Sequence, residues 1–91
     1  MTKRLQTIVS GCVQGVGFRY YAVHVAEQLG ITGAVRNTAN GSVQATAEGE
    51  EAALVEFLAA MQRGPHASRV DEVSAAWSEP TGEYHEFSAV A

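Results

Sequence analysis

The sequence predicts an α+β fold in which a β-α-β-β-α-β chain packs both helices on one face of an antiparallel sheet, the split βαβ arrangement. Three observations predict it. Two stretches show helical apolar spacing and each is closed by glycine; the runs around them are β-branched or alternate strictly; and Asn40-Gly41 marks a tight turn between the two middle strands. With 91 residues, 46% hydrophobic and 18% charged, the composition is globular, and the length leaves room for a single domain over 1–91. A chain this short needs every element to contribute to one small core.

The elements follow in order. From Leu5 to Val13 the β-branched residues Thr7, Ile8, Val9 and Val13 concentrate in a short run ended by glycines, which predicts a strand. From Phe18 to Leu29 the residues Phe18, Ala22, Val25, Ala26 and Leu29 fall on one helical stripe, and Gly30 is placed to cap its end. Strands are expected over Thr32–Asn37 and Ser42–Glu48. In the second of these Val43, Ala45 and Ala47 face one way, and Gln44, Thr46 and Glu48 the other.

Glu50 to Gln62 reads as the second helix, with Leu54, Phe57, Leu58 and Met61 at i, i+3, i+4, i+7 and the stop at Gly64-Pro65. Glu50 and Glu51 sit favourably at its positive end. A further strand carries Val73, Ala75 and Trp77 on one face; a turn is expected at Glu79-Pro80-Thr81-Gly82 and a short fifth strand near Phe87–Val90.

Charge and cysteine usage exclude several function classes. Six Lys and Arg against ten Asp and Glu give a net charge of −4, opposite to the balance of a protein held to nucleic acid by phosphates. The lone Cys12 excludes an intrachain disulfide framework and a multi-thiolate zinc site, and is simplest to place in a reducing compartment. The N-terminal run, broken at Gln6 and Ser10, is too short and polar for a signal core or a spanning helix. A cytoplasmic protein without membrane or nucleic-acid partners is expected.

The chemistry concentrates in Gly11-Cys12-Val13-Gln14-Gly15-Val16-Gly17-Phe18-Arg19, which holds three of the nine glycines. Glycines at a strand-to-helix turn let several N–H groups converge, and the helix start adds its unpaired N–H groups and positive dipole end. Such a concavity suits a phosphate-sized anion, with Arg19 adding a planar fork of donors. The same residues also fit a plain tight turn beside a solvated arginine. Neither common nucleotide motif is present, because position 16 is valine where a Walker loop needs glycine, and position 20 is tyrosine where the dinucleotide fingerprint needs glycine.

A thiolate nucleophile is disfavoured. Six residues separate Cys12 from Arg19, one more than the C-x5-R spacing of cysteine-dependent phosphatases, and a misplacement of about 1 Å already costs about a hundredfold. Cys12 is expected to be a small packing residue. None of His24, His66 and His85 falls in the loop or at the end of the second strand, so no general base is visible.

Topology supplies a second candidate. The first two strands are joined by a crossover helix and run parallel, with the third between them, so their C-terminal ends share one edge of the sheet about 10 Å apart. Asn37 ends the second strand there, where its amide can hold a neutral water without adding negative charge. Asn37 and Thr38 equally suit the start of a hairpin.

The glycine-rich run, together with Gly33-Ala34-Val35-Arg36-Asn37 and Gly41-Ser42-Val43, resembles the acylphosphatase family of small cytosolic enzymes, across nearly the whole chain. The resemblance implies a ferredoxin-like α/β sandwich and a hydrolase that cleaves the carboxyl-phosphate bond of acyl phosphates, releasing a carboxylate and inorganic phosphate. It implies phosphate binding by Gln14, Gly15, Val16, Gly17, Phe18 and Arg19, catalysis by Arg19 and Asn37, the latter positioning water, and support from Thr38. No metal, cofactor or covalent intermediate is implied, and a monomer is expected. A non-catalytic phosphate-binding module of the same fold is the alternative. The chain departs from the family pattern at Phe87-Ser88-Ala89-Val90-Ala91, where relatives often carry tyrosine or another large residue, and at Gly17, where some carry a bulkier one.

Overall fold

A computed structural model describes residues 1–91. The elements run β1 (Thr2–Cys12), α1 (Phe18–Leu29), β2 (Thr32–Asn37), β3 (Val43–Glu50), α2 (Glu51–Arg63), β4 (Arg69–Ser78) and β5 (Phe87–Val90). The strands form one sheet in the order β4-β1-β3-β2-β5. α1, β2 and β5 have the expected bounds. β1 begins at Thr2 rather than Leu5 because its N-terminal residues pair with the end of β3, Thr2 opposite Glu50, a long-range contact that local composition does not register.

β1 pairs antiparallel with β3 and β4, and β2 antiparallel with β3. The short fifth strand, β5, lies parallel to β2 at the edge of this antiparallel sheet. β4 runs opposite to β2, so a strand that reverses direction after β4 and crosses to the far edge must run with β2.

The pleat decides what is buried. Leu5, Thr7 and Val9 of β1 and Val43, Ala45 and Ala47 of β3 point toward the helices and are buried. Phe18, Ala22 and Ala26 of α1 and Leu54, Phe57 and Met61 of α2 close the core from the other side. Two of those positions, Ala22 and Ala26, are alanine, which lets α1 lie close to the sheet. Phe57 meets Phe87 of β5 with ring centroids 5.6 Å apart, so the last strand is tied to the core. Truncating a fully buried residue such as Leu54 to alanine costs about 2–5 kcal/mol. The buried polar side chain on this inner face of β1, Thr7, donates to the Ser74 carbonyl at 2.7 Å.

The outer face holds an unexpected buried charge. Glu48 lies on the side that alternation assigns to solvent, yet it is only 4% exposed. The chain after β4 folds over it: Thr81 N–H donates to Oε2 at 2.8 Å and Gly82 N–H to Oε1 at 3.0 Å, while Arg4 Nε donates to Oε2 at 2.8 Å. Arg4 also pairs with Glu83 at 2.6 Å and lies 5.6 Å from the centroid of the Tyr84 ring. Burial pushes the Glu48 pKa up, but the hydrogen bonds from Thr81, Arg4 and Gly82 outweigh it and hold the carboxyl at about 2. The segment between β4 and β5 is thereby pinned across the sheet, and with it the start of β5. No helix is long and apolar enough to cross a membrane.

Candidate active site

The site forms where β1 turns into α1. Gly15 and Gly17 take positive φ, 74° and 79°, and Gly17 is the N-cap of α1 in the left-handed region. A side chain at either position would meet no atom but would strain the backbone, so glycine serves the turn here by conformation and not by space. The result is a run of unused donors. From Gln14 to Tyr20 no backbone N–H donates to an acceptor of the chain; the first helical bond is Tyr21 N–H to the Gly17 carbonyl at 3.0 Å. Unpaired N–H groups at a helix start carry partial positive charge and favour an anion.

Gly15, Gly17, Phe18, Arg19 and Tyr20 of this run border a pocket of about 120 Å³ that Val13 and Asn37 complete. Arg19, in the first turn of α1, and Asn37, the last residue of β2, therefore meet at one cavity. β3 lies between β1 and β2, as the topology argument requires. Four larger depressions, two of about 380 Å³ beside Trp77 and between α1 and α2 and two of about 240 and 230 Å³ on the sheet, contain none of the expected site residues.

The remaining candidates occupy different places. Phe18 is 2% exposed with its ring in the core, edge-on to Tyr21 at 5.8 Å, which leaves its backbone N–H as its polar contribution to the pocket. Val16 packs on the core and does not line the pocket. Gln14 points away from the pocket: its Nε2 donates to the carbonyls of Thr38 at 2.8 Å and Ser42 at 2.9 Å. Thr38 N–H donates to the Ser42 carbonyl at 2.8 Å, and Ser42 N–H returns a bond to the Thr38 hydroxyl at 3.1 Å, while that hydroxyl also contacts the Asn40 side-chain oxygen. Gln14 thus ties the loop to the turn that follows Asn37.

Cys12 corrects its expectation as a packing residue: it is exposed, because it ends β1 opposite Arg69 at the sheet margin. His24, His66 and His85 do not line the pocket. Two contributors had no signal in the sequence reading. Tyr20 joins the lining from the helix position after Arg19, and the Val90 carbonyl accepts a hydrogen bond from Arg19 Nη1 at 3.1 Å across a separation that no local pattern spans.

A family model described as Acylphosphatase matches residues 5–89. The chain belongs to the acylphosphatase family. It is 48% identical over 80 residues to an acylphosphatase of Moorella thermoacetica, covering 88% of this chain and 86% of that one. An acylphosphatase of Rhodopseudomonas palustris is 47% identical over 75 residues, covering 82% and 76% of the two chains. The crystal structure of the Bacillus subtilis acylphosphatase superposes with a TM-score of 0.94 at 38% identity, over 98% of this chain and 99% of that one. The acylphosphatase architecture accounts for the β-α-β-β-α-β order and for the loop, Arg19 and Asn37 meeting at one sheet edge.

Proposed function

We propose that this chain hydrolyses acyl phosphates, with the phosphoryl group seated in the Gln14–Arg19 loop and the attacking water held by Asn37. The observation that carries the reading is the convergence of unused loop N–H groups, Arg19 and Asn37 on one small pocket. Membership of the acylphosphatase family supplies the substrate class.

The mechanism follows from where charge develops. The transferring phosphoryl group spreads negative charge over its equatorial oxygens, which the N–H groups of Gln14 to Phe18, the positive end of α1 and the Arg19 fork stabilise without reorganisation. Asn37 accepts a hydrogen bond from the water and aims its oxygen at phosphorus, in line with the departing carboxylate. A P–O bond to water forms as the P–O bond to the carboxylate breaks. The carboxylate leaves as a stable anion and needs no acid, and the water proton passes to a phosphoryl oxygen of the substrate. Water and acyl phosphate become carboxylate and inorganic phosphate, with no histidine, metal or cofactor required.

Thr38 and Gln14 hold the turn that presents Asn37. Residues 1–91 act as one domain, as a cytoplasmic monomer without nucleic-acid or membrane partners, a reading supported by the net charge of −4 and the lone cysteine. The test is hydrolysis of acetyl or benzoyl phosphate with chelator present and a phosphate monoester as control. Turnover of the acyl phosphates alone is expected. Phosphate binding without turnover would instead make the chain a non-catalytic anion-binding module.

A further inference from the structure

We propose that Tyr20 selects the acyl group, forming a subsite that favours flat aromatic acyl phosphates over acetyl phosphate. The proposal rests on the acyl phosphate reading of the pocket. Organic ligands are usually enclosed in cavities of about 300–1,000 Å³, whereas this pocket holds about 120 Å³. A phosphoryl group and one water, itself about 30 Å³ of liquid volume, leave no room for a ring. The acyl group must therefore lie across the rim.

Tyr20 is the exposed aromatic residue of that lining. It lines the same pocket as Arg19 and Asn37, and it is 82% exposed, so most of its ring is free to receive a partner. The other exposed large apolar residues, Met1, Ile8, Val55, Trp77 and Val90, do not line the pocket. Helical side chains lean toward the N-terminus of their helix, and Tyr20 stands in the first turn of α1, so its ring leans toward the phosphate loop. Tyrosine also offers a large rigid face at small entropic cost, with two side-chain torsions to order. Tyr21, the next residue, is committed elsewhere: its hydroxyl donates to the Ala60 carbonyl of α2 at 2.8 Å.

The test compares benzoyl with acetyl phosphate in the parent enzyme, Tyr20→Ala and Tyr20→Phe. The benzoyl-to-acetyl ratio of kcat/KM is expected to fall about tenfold in Tyr20→Ala, chiefly through KM for benzoyl phosphate, and to stay within about twofold of the parent in Tyr20→Phe. Competitive inhibition by inorganic phosphate, which has no acyl group, reads the loop separately. An unmoved ratio in Tyr20→Ala overturns the subsite, and so does a parallel weakening of inorganic phosphate, which would make Tyr20 a support of the loop. Turnover of neither substrate by the parent overturns the acyl phosphate reading itself and the subsite with it.

Discussion

Arg19 donates from Nη1 to the Val90 carbonyl at 3.1 Å, so the proposed phosphate-binding guanidinium is steadied by the strand at the opposite end of the chain. The other N–H groups of the fork stay available to an anion. Ending the chain at Ala89 removes this acceptor. At a partly exposed site the bond is worth about 1 kcal/mol, so KM for acyl phosphate is expected to rise about fivefold while kcat changes less. Steady-state kinetics on the shortened chain check this; an unchanged KM would make the contact incidental.

Arg19 and Asn37 are proposed to act on different partners, so their losses should differ in kind. Arg19→Ala is expected to weaken inorganic phosphate binding and to lower kcat/KM by about a thousandfold or more, the scale of a lost charge-stabilising arginine. Asn37→Ala is expected to lower kcat by about a hundredfold or more and to leave phosphate affinity within about threefold. Calorimetry with phosphate beside turnover assays separates the two. Equal loss of phosphate binding in both variants would contradict the division of roles.

Gln14 links the loop to the turn after Asn37 through two hydrogen bonds, at 2.8 and 2.9 Å. Gln14→Ala removes both and is expected to cost about 1–2 kcal/mol of stability. Because the turn presents Asn37, kcat should fall about tenfold with a smaller change in phosphate affinity. A loss confined to stability would mark Gln14 as structural only.

Cys12 is exposed and lies outside the pocket lining. Cys12→Ser is expected to retain parental kcat within about twofold, since no step forms a bond to sulfur. A folded but inactive serine variant, shown by circular dichroism and turnover, would revive covalent catalysis.

Much of the fold and the centre of the site were legible because they depend on short-range pattern. The Phe18–Leu29 stripe, the Val43–Ala45–Ala47 alternation and the glycines before Arg19 report local geometry that neighbouring residues impose. Crossover topology then placed Asn37 at the loop's edge of the sheet. What was not legible depends on contacts distant in sequence. Alternation put Glu48 on the outer face correctly, yet the groups that cover and bond it are Thr81 and Gly82, more than thirty positions later, and Arg4, more than forty earlier. The direction of β5 and the Arg19–Val90 contact likewise depend on how the segment after β4 crosses the sheet. The family resemblance gives Gln14 a role through its backbone N–H, and only the folded turn shows its side-chain amide engaged with two carbonyls.

Glu48 gives the fold a specific acid response. Its folded pKa, about 2, lies below the unfolded carboxylate value of about 4.3. The unfolded state therefore takes up the proton first as pH falls. The stabilisation is fully present above about pH 4.5 and is lost progressively between there and pH 2. Glu50 and Glu83, also shifted downward by the N-terminal amine and Thr2 and by Thr81 and Arg4 respectively, add smaller, solvent-screened contributions of the same sign. Glu48→Gln leaves Arg4 without its buried partner and turns an amide toward donors it cannot fully satisfy, so stability at pH 7 should fall by about 2–4 kcal/mol. The variant should also lose much of the parent's pH dependence between pH 5 and 2. Urea unfolding of both proteins across that range is the measurement. Parallel curves for parent and variant would show that the acid response arises from other groups.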